Sequence, residues 1–238
     1  MPPLKKPPFP TLFPRALKLK ILIIKVCGMR DAENIRAVEQ IGPDWMGFIC
    51  WPKSSRHVGV SPSYLPECTR VGVFVDAELV YIKEMIALLG LRRIQLHGSE
   101  SPERCREIAQ ATGLPITKAI SVQTVEDIER ASAYEGIADY LLFDTKCKCV
   151  GGSGEQFDWD ILQAYHGETP FLLAGGIGPG DEARVRAFSH PAFAGIDLNS
   201  RFEISPAFKD VGALSLFIQN IVTPVPDASP SGEKTSKQ

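Results

Sequence analysis

The sequence alternates regularly between short apolar runs and amphipathic segments, and this alternation strongly limits the fold. Runs rich in β-branched and aromatic residues predict strands, and helical periodicity follows most of them. The predicted strands span 20–27, 44–49, 70–76, 93–97, 116–121, 140–145, 171–175 and 195–199. Repetition of this kind fits a closed barrel better than an open doubly wound sheet, which usually has about five or six strands. We therefore predict an α/β protein with a single (β/α)8 barrel, the TIM-barrel architecture.

Several of the predicted helices begin with recognisable signals. Asp31, Ser101 with the following proline, and Thr124 are N-cap candidates, and Pro179 precedes another helical segment. After the second strand we expect only a short helix, at about 61–67.

The ends of the chain differ in composition from the predicted barrel. Residues 1–18 contain six prolines and no apolar period, which predicts an irregular N-terminal arm. Residues 223–238 are similarly polar and proline-containing, and we expect a disordered tail there. The predicted catalytic domain is the barrel at 19–222, because one such barrel uses about 250 residues.

Composition indicates a soluble, cytoplasmic protein. The net charge of −2 and the 23% of charged residues imply neither a nucleic acid nor a membrane as a partner. The six cysteines are scattered without a CxxC pattern or a secretory segment, so we expect reduced thiols in the cytoplasm. Cys147 and Cys149 form only a CxC, which is poor support for zinc.

Chemistry in such barrels takes place at the C-terminal ends of the strands, which directs attention to Cys27 and Asp144. Because side chains alternate between the two faces of a strand, Lys25 and Cys27 share one face of the first strand, which we expect to be the barrel interior. The simple alternative is that Cys27 is a small core residue. Asp144 ends an apolar run, where a carboxylate is costly unless it is paired or used. A helix cap or an ion pair with Lys146 would also explain it.

The last two strands end in groups that suit a phosphate. Gly175 and Gly176 expose backbone amides after strand seven, and Asn199 and Ser200 offer side-chain donors after strand eight. Gly152 lies in a glycine-rich loop, VGGSG, that is long enough to fold over the barrel mouth. A flexible loop is the simpler reading, and the segment is not a P-loop.

Two further candidates lie after the second strand and on the fourth. Arg56 can grip a carboxylate with two parallel hydrogen bonds, although a solvated surface charge is the plain alternative. Gln95 and His97 share one face, and a lone histidine there is more often structural than catalytic.

Seven segments together resemble the phosphoribosylanthranilate isomerase family, in order from about residue 23 to 221. They are KVCGMRDAENIRA, MGFICWPKSSRHV, VGVFVD, IQLHGSES, LLFDTKCKCVGGSGEQFDW, LLAGGI and GIDLNSRFEISPAFKD. The resemblance implies a cofactor-free and metal-free Amadori rearrangement of N-(5-phospho-β-D-ribosyl)anthranilate in tryptophan biosynthesis. It implies a small phosphorylated substrate as partner, and we expect a monomer or homodimer.

The same resemblance implies roles for three residues. Cys27 matches the general base that removes the proton from ribose C2′, Asp144 matches the acid that protonates the ring oxygen, and Arg56 faces the anthranilate carboxylate. A free thiol has a pKa of about 8.5, so we expect Lys25 or Arg56 to favour the thiolate. The family often has KSPR and DVSSG where this chain has KSSR and DLNSR, which predicts altered loop rigidity and phosphate contacts.

Two rival functions stay open at this point. One is another phosphate-binding barrel enzyme of histidine or tryptophan synthesis, which the thiol base disfavours. The other is a barrel that binds a phosphorylated ligand without catalysis.

Overall fold

A computed structural model describes residues 22–145 and 158–222 of the chain. Eight parallel strands close into a barrel in which each strand bonds to the next and the eighth bonds to the first. They are β1 Ile23–Cys27, β2 Trp45–Ile49, β3 Thr69–Phe74, β4 Arg93–Leu96, β5 Ile116–Val122, β6 Tyr140–Thr145, β7 Phe171–Leu173 and β8 Phe193–Leu198. Every strand ends within two residues of its predicted end, so the predicted barrel is confirmed. The predicted arm and tail, and Gly152 in the glycine-rich loop, lie outside the described residues.

Helices cover the outside of the barrel. They are α1 Ala32–Glu39, α2 Leu79–Leu89, α3 Pro102–Thr112, α4 Val125–Glu129, α5 Glu182–Ala187 and α6 Val211–Val222, with 3-10 turns at Arg130–Tyr134, Trp159–Ala164 and Ser200–Phe202. Two predicted caps are confirmed by hydrogen bonds: the Asp31 side chain accepts from the Asn34 amide at 2.8 Å, and Ser101 Oγ accepts from the Arg104 amide at 3.2 Å. Thr124 caps α4 through a capping box.

The predicted short helix at 61–67 is wrong, because this segment is irregular in the structure. Pro62 and Pro66 each remove a backbone donor and bias the preceding residue away from helical angles. The segment is instead fastened to α1, where the Glu39 carboxylate accepts a hydrogen bond from the Glu67 amide at 2.7 Å.

The helix expected directly after Pro179 begins later than predicted, at Glu182. Gly180 has a φ of +98°, which is incompatible with a right-handed helix. The Asp181 side chain accepts from the Gly178 amide at 2.8 Å and closes this turn.

A small antiparallel hairpin follows β8 and has no counterpart in the sequence-based prediction. Its strands are β9 Glu203–Ser205 and β10 Phe208–Lys209. The hairpin packs against α1, so it brings Glu203 and Lys209 over the C-terminal end of the barrel.

Apart from Arg93 at its N-terminal end, the barrel interior is apolar in its lower part and polar toward its C-terminal end. The N-terminal end is closed by Arg93, whose guanidinium lies 4.6 Å from the Trp45 ring and 4.9 Å from the Tyr140 ring. Above this plug an apolar layer of Val71, Ala119, Leu142, Leu172 and Ala174 fills the interior. Ionisable side chains are therefore concentrated toward the mouth. Within 22–145 and 158–222, no helix has the length and apolar character needed to cross a bilayer.

Candidate active site

Cys27 lies inside the barrel at the C-terminal end of β1, as the period-two pattern predicts. It is opposite Gly47 of β2 in the parallel register and is 3% exposed. A methyl group at Gly47 would stand 2.6 Å from Cys27 Sγ, so only glycine leaves room for this thiol. Two residues earlier, the fully buried Lys25 faces the same interior.

Lys25 forms a buried ion pair with Asp197 of β8, in which Nζ donates to Oδ2 at 2.7 Å. Burial raises the pKa of Asp197, although Lys25 opposes that rise. Asp197 interacts electrostatically with both Cys27 and Asp144, so its charge affects both predicted catalytic groups. Its Oδ1 has no hydrogen-bond partner among the described residues.

The pKa of Cys27 is raised, because burial outweighs the charges around the thiol. Lys25 lowers this pKa, as the sequence analysis expects, and Asp197 raises it. Lys209, which the sequence analysis did not consider, also lowers it. The other expected cation, Arg56, instead pairs with Glu203.

Asp144 is the last residue but one of β6, and two groups lie against its carboxylate. The Thr145 amide donates to Oδ1 at 2.8 Å, and His97 Nε2 lies 3.3 Å from Oδ2. Gln95 Nε2 lies 2.9 Å from His97 Nδ1, and the other ring nitrogen of His97 faces Asp144. The shared face of Gln95 and His97 is thus confirmed. Lys146, the alternative partner for Asp144, lies outside the described residues.

The turn after β7 lies directly against Asp144. Gly175 and Gly176 have φ values of +84° and +70°, consecutive left-handed conformations that glycine adopts without strain. A Cβ at Gly175 would stand 2.6 Å from the Thr145 amide nitrogen and 3.0 Å from Asp144 Oδ1. Gly175 therefore permits the close approach of β6 and the β7 turn.

The turn after β8 lies beside the turn after β7. Ser200 begins a short 3-10 turn, and the Arg201 side chain lies against Gly178, where an added Cβ would stand 3.0 Å from Arg201 Nε. Asn199 Oδ1 is occupied, since it accepts from Lys209 Nζ at 2.7 Å. The structure thus brings the predicted phosphate residues of these two turns to one side of the mouth.

Arg56, Asn199, Glu203 and Lys209 form a hydrogen-bonded group at the mouth, called here the rim cluster. Arg56 Nε and Nη2 donate to the Glu203 carboxylate at 2.7 to 2.9 Å, and Lys209 Nζ donates to Glu203 Oε1 at 2.7 Å. Burial disfavours the ionised form of Glu203, but these bonds outweigh it and lower the pKa. The cluster surrounds Gly28, where a Cβ would stand 2.8 Å from Asn199 Oδ1.

Three ionisable residues of the site were missed by sequence reasoning. Asp197 was detectable, because it lies two residues before Asn199 and therefore shares its face of β8. Glu203 and Lys209 gave no usable signal, since the hairpin that carries them was not predicted.

Comparison with known proteins identifies the family. A sequence model described as N-(5'phosphoribosyl)anthranilate (PRA) isomerase matches residues 24–220. The chain belongs to the phosphoribosylanthranilate isomerase family. A member from Phocaeicola vulgatus is 53% identical over 201 residues, which cover 84% of this chain and 98% of the relative. The chain is thus an aldose–ketose isomerase of tryptophan biosynthesis, as the resemblance implies.

Solved structures of the family share this architecture. The phosphoribosyl anthranilate isomerase from Thermotoga maritima is 31% identical and superposes with a TM-score of 0.72, covering 84% of this chain and 98% of its own. Another solved family member, 28% identical with a TM-score of 0.69 and the same coverage, is in complex with reduced 1-(o-carboxyphenylamino)-1-deoxyribulose 5-phosphate.

Proposed function

We propose that the protein converts N-(5-phospho-β-D-ribosyl)anthranilate to 1-(2-carboxyphenylamino)-1-deoxy-D-ribulose 5-phosphate. One observation carries the proposal beyond family membership: Cys27 and Asp144 lie at the C-terminal ends of two different strands, at one barrel mouth, and both interact with the charge of Asp197. An Amadori rearrangement needs an acid to open the sugar and a base to remove a carbon-bound proton. Two proton-transfer groups on separate strands satisfy that need.

In the first step Asp144 acts as the general acid. It gives its proton to the furanose ring oxygen, the bond from C1′ to that oxygen breaks, and the anthranilate nitrogen lone pair forms a C1′=N bond. The carboxylate left behind accepts a hydrogen bond from the Thr145 amide, and His97 Nε2 lies 3.3 Å from its Oδ2. The hydrogen bond stabilises the charge that develops on Asp144.

In the second step the Cys27 thiolate removes the proton from C2′. The electron pair of that bond moves toward the positively charged nitrogen and gives an enolamine. Transfer of the C2′ hydroxyl proton, with protonation at C1′, then yields the ketose. Lys25 and Lys209 favour the thiolate against the cost of burial, so both cations support this step.

The two ends of the substrate are held by different parts of the mouth. We propose that Gly175, Gly176, Asn199 and Ser200 bind the phosphate together with Gly152 of the glycine-rich loop. Arg201 adds a positive charge beside them, which favours a dianion electrostatically.

Arg56 is our proposed contact for the anthranilate carboxylate. A guanidinium has five N–H donors, and the bonds to Glu203 involve only Nε and Nη2, so donors remain for the substrate. Glu203 fixes the guanidinium plane. Gln95 orients His97, and its buried Oε1 lacks a partner among the described residues, which suits a sugar hydroxyl. We expect the enzyme to act in the cytoplasm, as a monomer or homodimer.

A fluorescence assay tests these roles. Phosphoribosylanthranilate is generated in situ, and its anthranilate fluorescence is followed with wild type, Cys27→Ser and Asp144→Asn. The rate of each site variant is expected to fall by a factor of about 10² to 10⁴, which is the usual contribution of a positioned proton-transfer group. Cys105→Ser is the matched control, because Cys105 of α3 is another fully buried thiol and has no proposed role.

Rapid decay with wild type and Cys105→Ser, together with loss in both site variants, would support the proposal. Folded wild-type protein without turnover would favour a barrel that only binds a phosphorylated ligand. Full activity in Cys27→Ser would show that Cys27 is only a small core residue and not the general base.

A further inference from the structure

Lys209 is a buried cation that several interactions hold in one place. The Asn34 side chain of α1 forms two hydrogen bonds with the backbone of Lys209. Asn34 Nδ2 donates to the Lys209 carbonyl at 2.9 Å, and the Lys209 amide donates to Asn34 Oδ1 at 2.7 Å. Its side chain has no exposed surface. A flexible, strongly hydrated ammonium is costly to bury, so an arrangement this specific suggests a use for the charge.

The ammonium group stands beside the backbone that carries the proposed base. Lys209 Nζ lies 3.5 Å from the position of a Cβ on Gly28, the residue that follows Cys27. It donates to Asn199 Oδ1 and Glu203 Oε1, each at 2.7 Å. These two acceptors fix the ammonium over the C-terminal end of β1.

The charges that face Cys27 come from several elements. Lys25 faces it from β1, Asp197 from β8 and Lys209 from β10, and the Cys50 thiol interacts with it from the segment after β2. Lys25 and Asp197 form an ion pair that carries no net charge. Within the pair, Lys25 lowers the pKa of the Cys27 thiol more than Asp197 raises it, so the pair also favours the thiolate.

The rim cluster adds a further positive charge to this pair, because it contains two cations and one carboxylate. Arg56 and Lys209 share Glu203, which leaves one net positive charge when all three are ionised. Lys209 interacts electrostatically with Cys27 and lowers the pKa of the thiol. Burial lowers the pKa of Lys209, while Glu203 and Cys27 oppose that fall.

We infer that Lys209 is a positioning residue for the proton-abstraction step: it adds to Lys25 a second positive charge that stabilises the Cys27 thiolate, and it holds Glu203 against Arg56. Its assignment to catalysis rests on the proposed function, but its effect on the thiol does not. Direct contact of Lys209 with the substrate is not needed for this role.

The test is the pH dependence of Cys27 alkylation by iodoacetamide, measured without substrate. Trypsin cleaves after Lys25 and Arg30, so the peptide 26–30 reports Cys27 separately from the other cysteines by mass spectrometry. In Lys209→Met the alkylation midpoint should rise by about one pH unit, which slows alkylation about tenfold below the midpoint. Lys209→Arg keeps the charge and should stay close to wild type.

A second buried lysine provides the matched control. Lys118 of β5 pairs with Glu100 at 3.0 Å and is 2% exposed, but it points outward from the barrel because its neighbour Ala119 lies in the interior layer. Lys118→Met removes a comparable ion pair, and it should leave the alkylation midpoint of Cys27 unchanged.

Glu203→Gln keeps the inference testable if Lys209→Met does not fold. Removing the carboxylate leaves more positive charge near the thiol, so the midpoint should move to lower pH. An unchanged midpoint in folded Lys209→Met, or in Glu203→Gln, would overturn the inference. A shifted midpoint in a protein that does not turn over phosphoribosylanthranilate would refute only the proposed function.

Discussion

Replacing Gly175 by alanine should damage both stability and catalysis, and a second glycine allows the two effects to be separated. Gly175 has a φ of +84°, and Gly113, the C-cap of α3, has a φ of +67°. An alanine at either position meets the same left-handed penalty, about 1 to 2 kcal/mol. Nothing lies within 4 Å of an added Cβ at Gly113, so Gly113→Ala should cost only this amount and leave kcat unchanged.

In Gly175→Ala a steric clash adds to the cost of the left-handed conformation. Its Cβ would lie 2.6 Å from the Thr145 amide nitrogen, and that backbone atom moves only if β6 moves. Overpacking of this kind costs roughly 1 to 3 kcal/mol, so the total loss should be about 2 to 5 kcal/mol. The shift would carry Asp144 with it, and a displacement of about 1 Å can reduce kcat about 100-fold.

Urea unfolding and the fluorescence assay would measure both variants side by side. We expect Gly175→Ala to unfold at a lower urea concentration than Gly113→Ala and to lose most of its kcat. Equal stability and equal kcat in the two variants would refute the argument that the β7 turn confines Asp144.

The remaining predictions concern the cations of the site. Lys25→Met leaves Asp197 buried without its partner, so this substitution should lower the free energy of unfolding by about 3 to 5 kcal/mol. It should also raise the alkylation midpoint of Cys27, and an unchanged midpoint would show that Lys25 does not favour the thiolate. In wild type that midpoint should already lie above the ordinary thiol value of about 8.5, because burial outweighs the lysines. Arg56→Lys cannot form the bidentate bonds, so KM should rise about tenfold or more with a smaller change in kcat; an unchanged KM would remove Arg56 from substrate binding.

Much of the barrel could be predicted because its strands are encoded locally. Runs of β-branched and aromatic residues mark each strand, and period two correctly turns Lys25 and Cys27 inward. The predicted helix at 61–67 failed where local chemistry was misread, since two prolines in seven residues oppose a helix. That segment depends on contacts with α1 instead.

The candidate site could be predicted where its residues lie at or close after the C-terminal end of a strand. Cys27 and Asp144 do so, and the structure places both at the mouth. The partner of Arg56 could not be anticipated, since Glu203 is 147 residues away in sequence and lies in a hairpin with two very short strands. Lys209 likewise depends on the contact between that hairpin and α1, which no local pattern encodes.

The central claim is that Cys27 and Asp144 transfer protons rather than hold the substrate. The most direct measurement compares turnover with the affinity for reduced 1-(o-carboxyphenylamino)-1-deoxyribulose 5-phosphate, the ligand bound in a solved relative. In Cys27→Ser and Asp144→Asn we predict that kcat falls at least about 100-fold, while Kd for this ligand stays within about threefold of wild type. A Kd that weakens by the same factor as kcat/KM would contradict the account and make both residues part of the binding site alone.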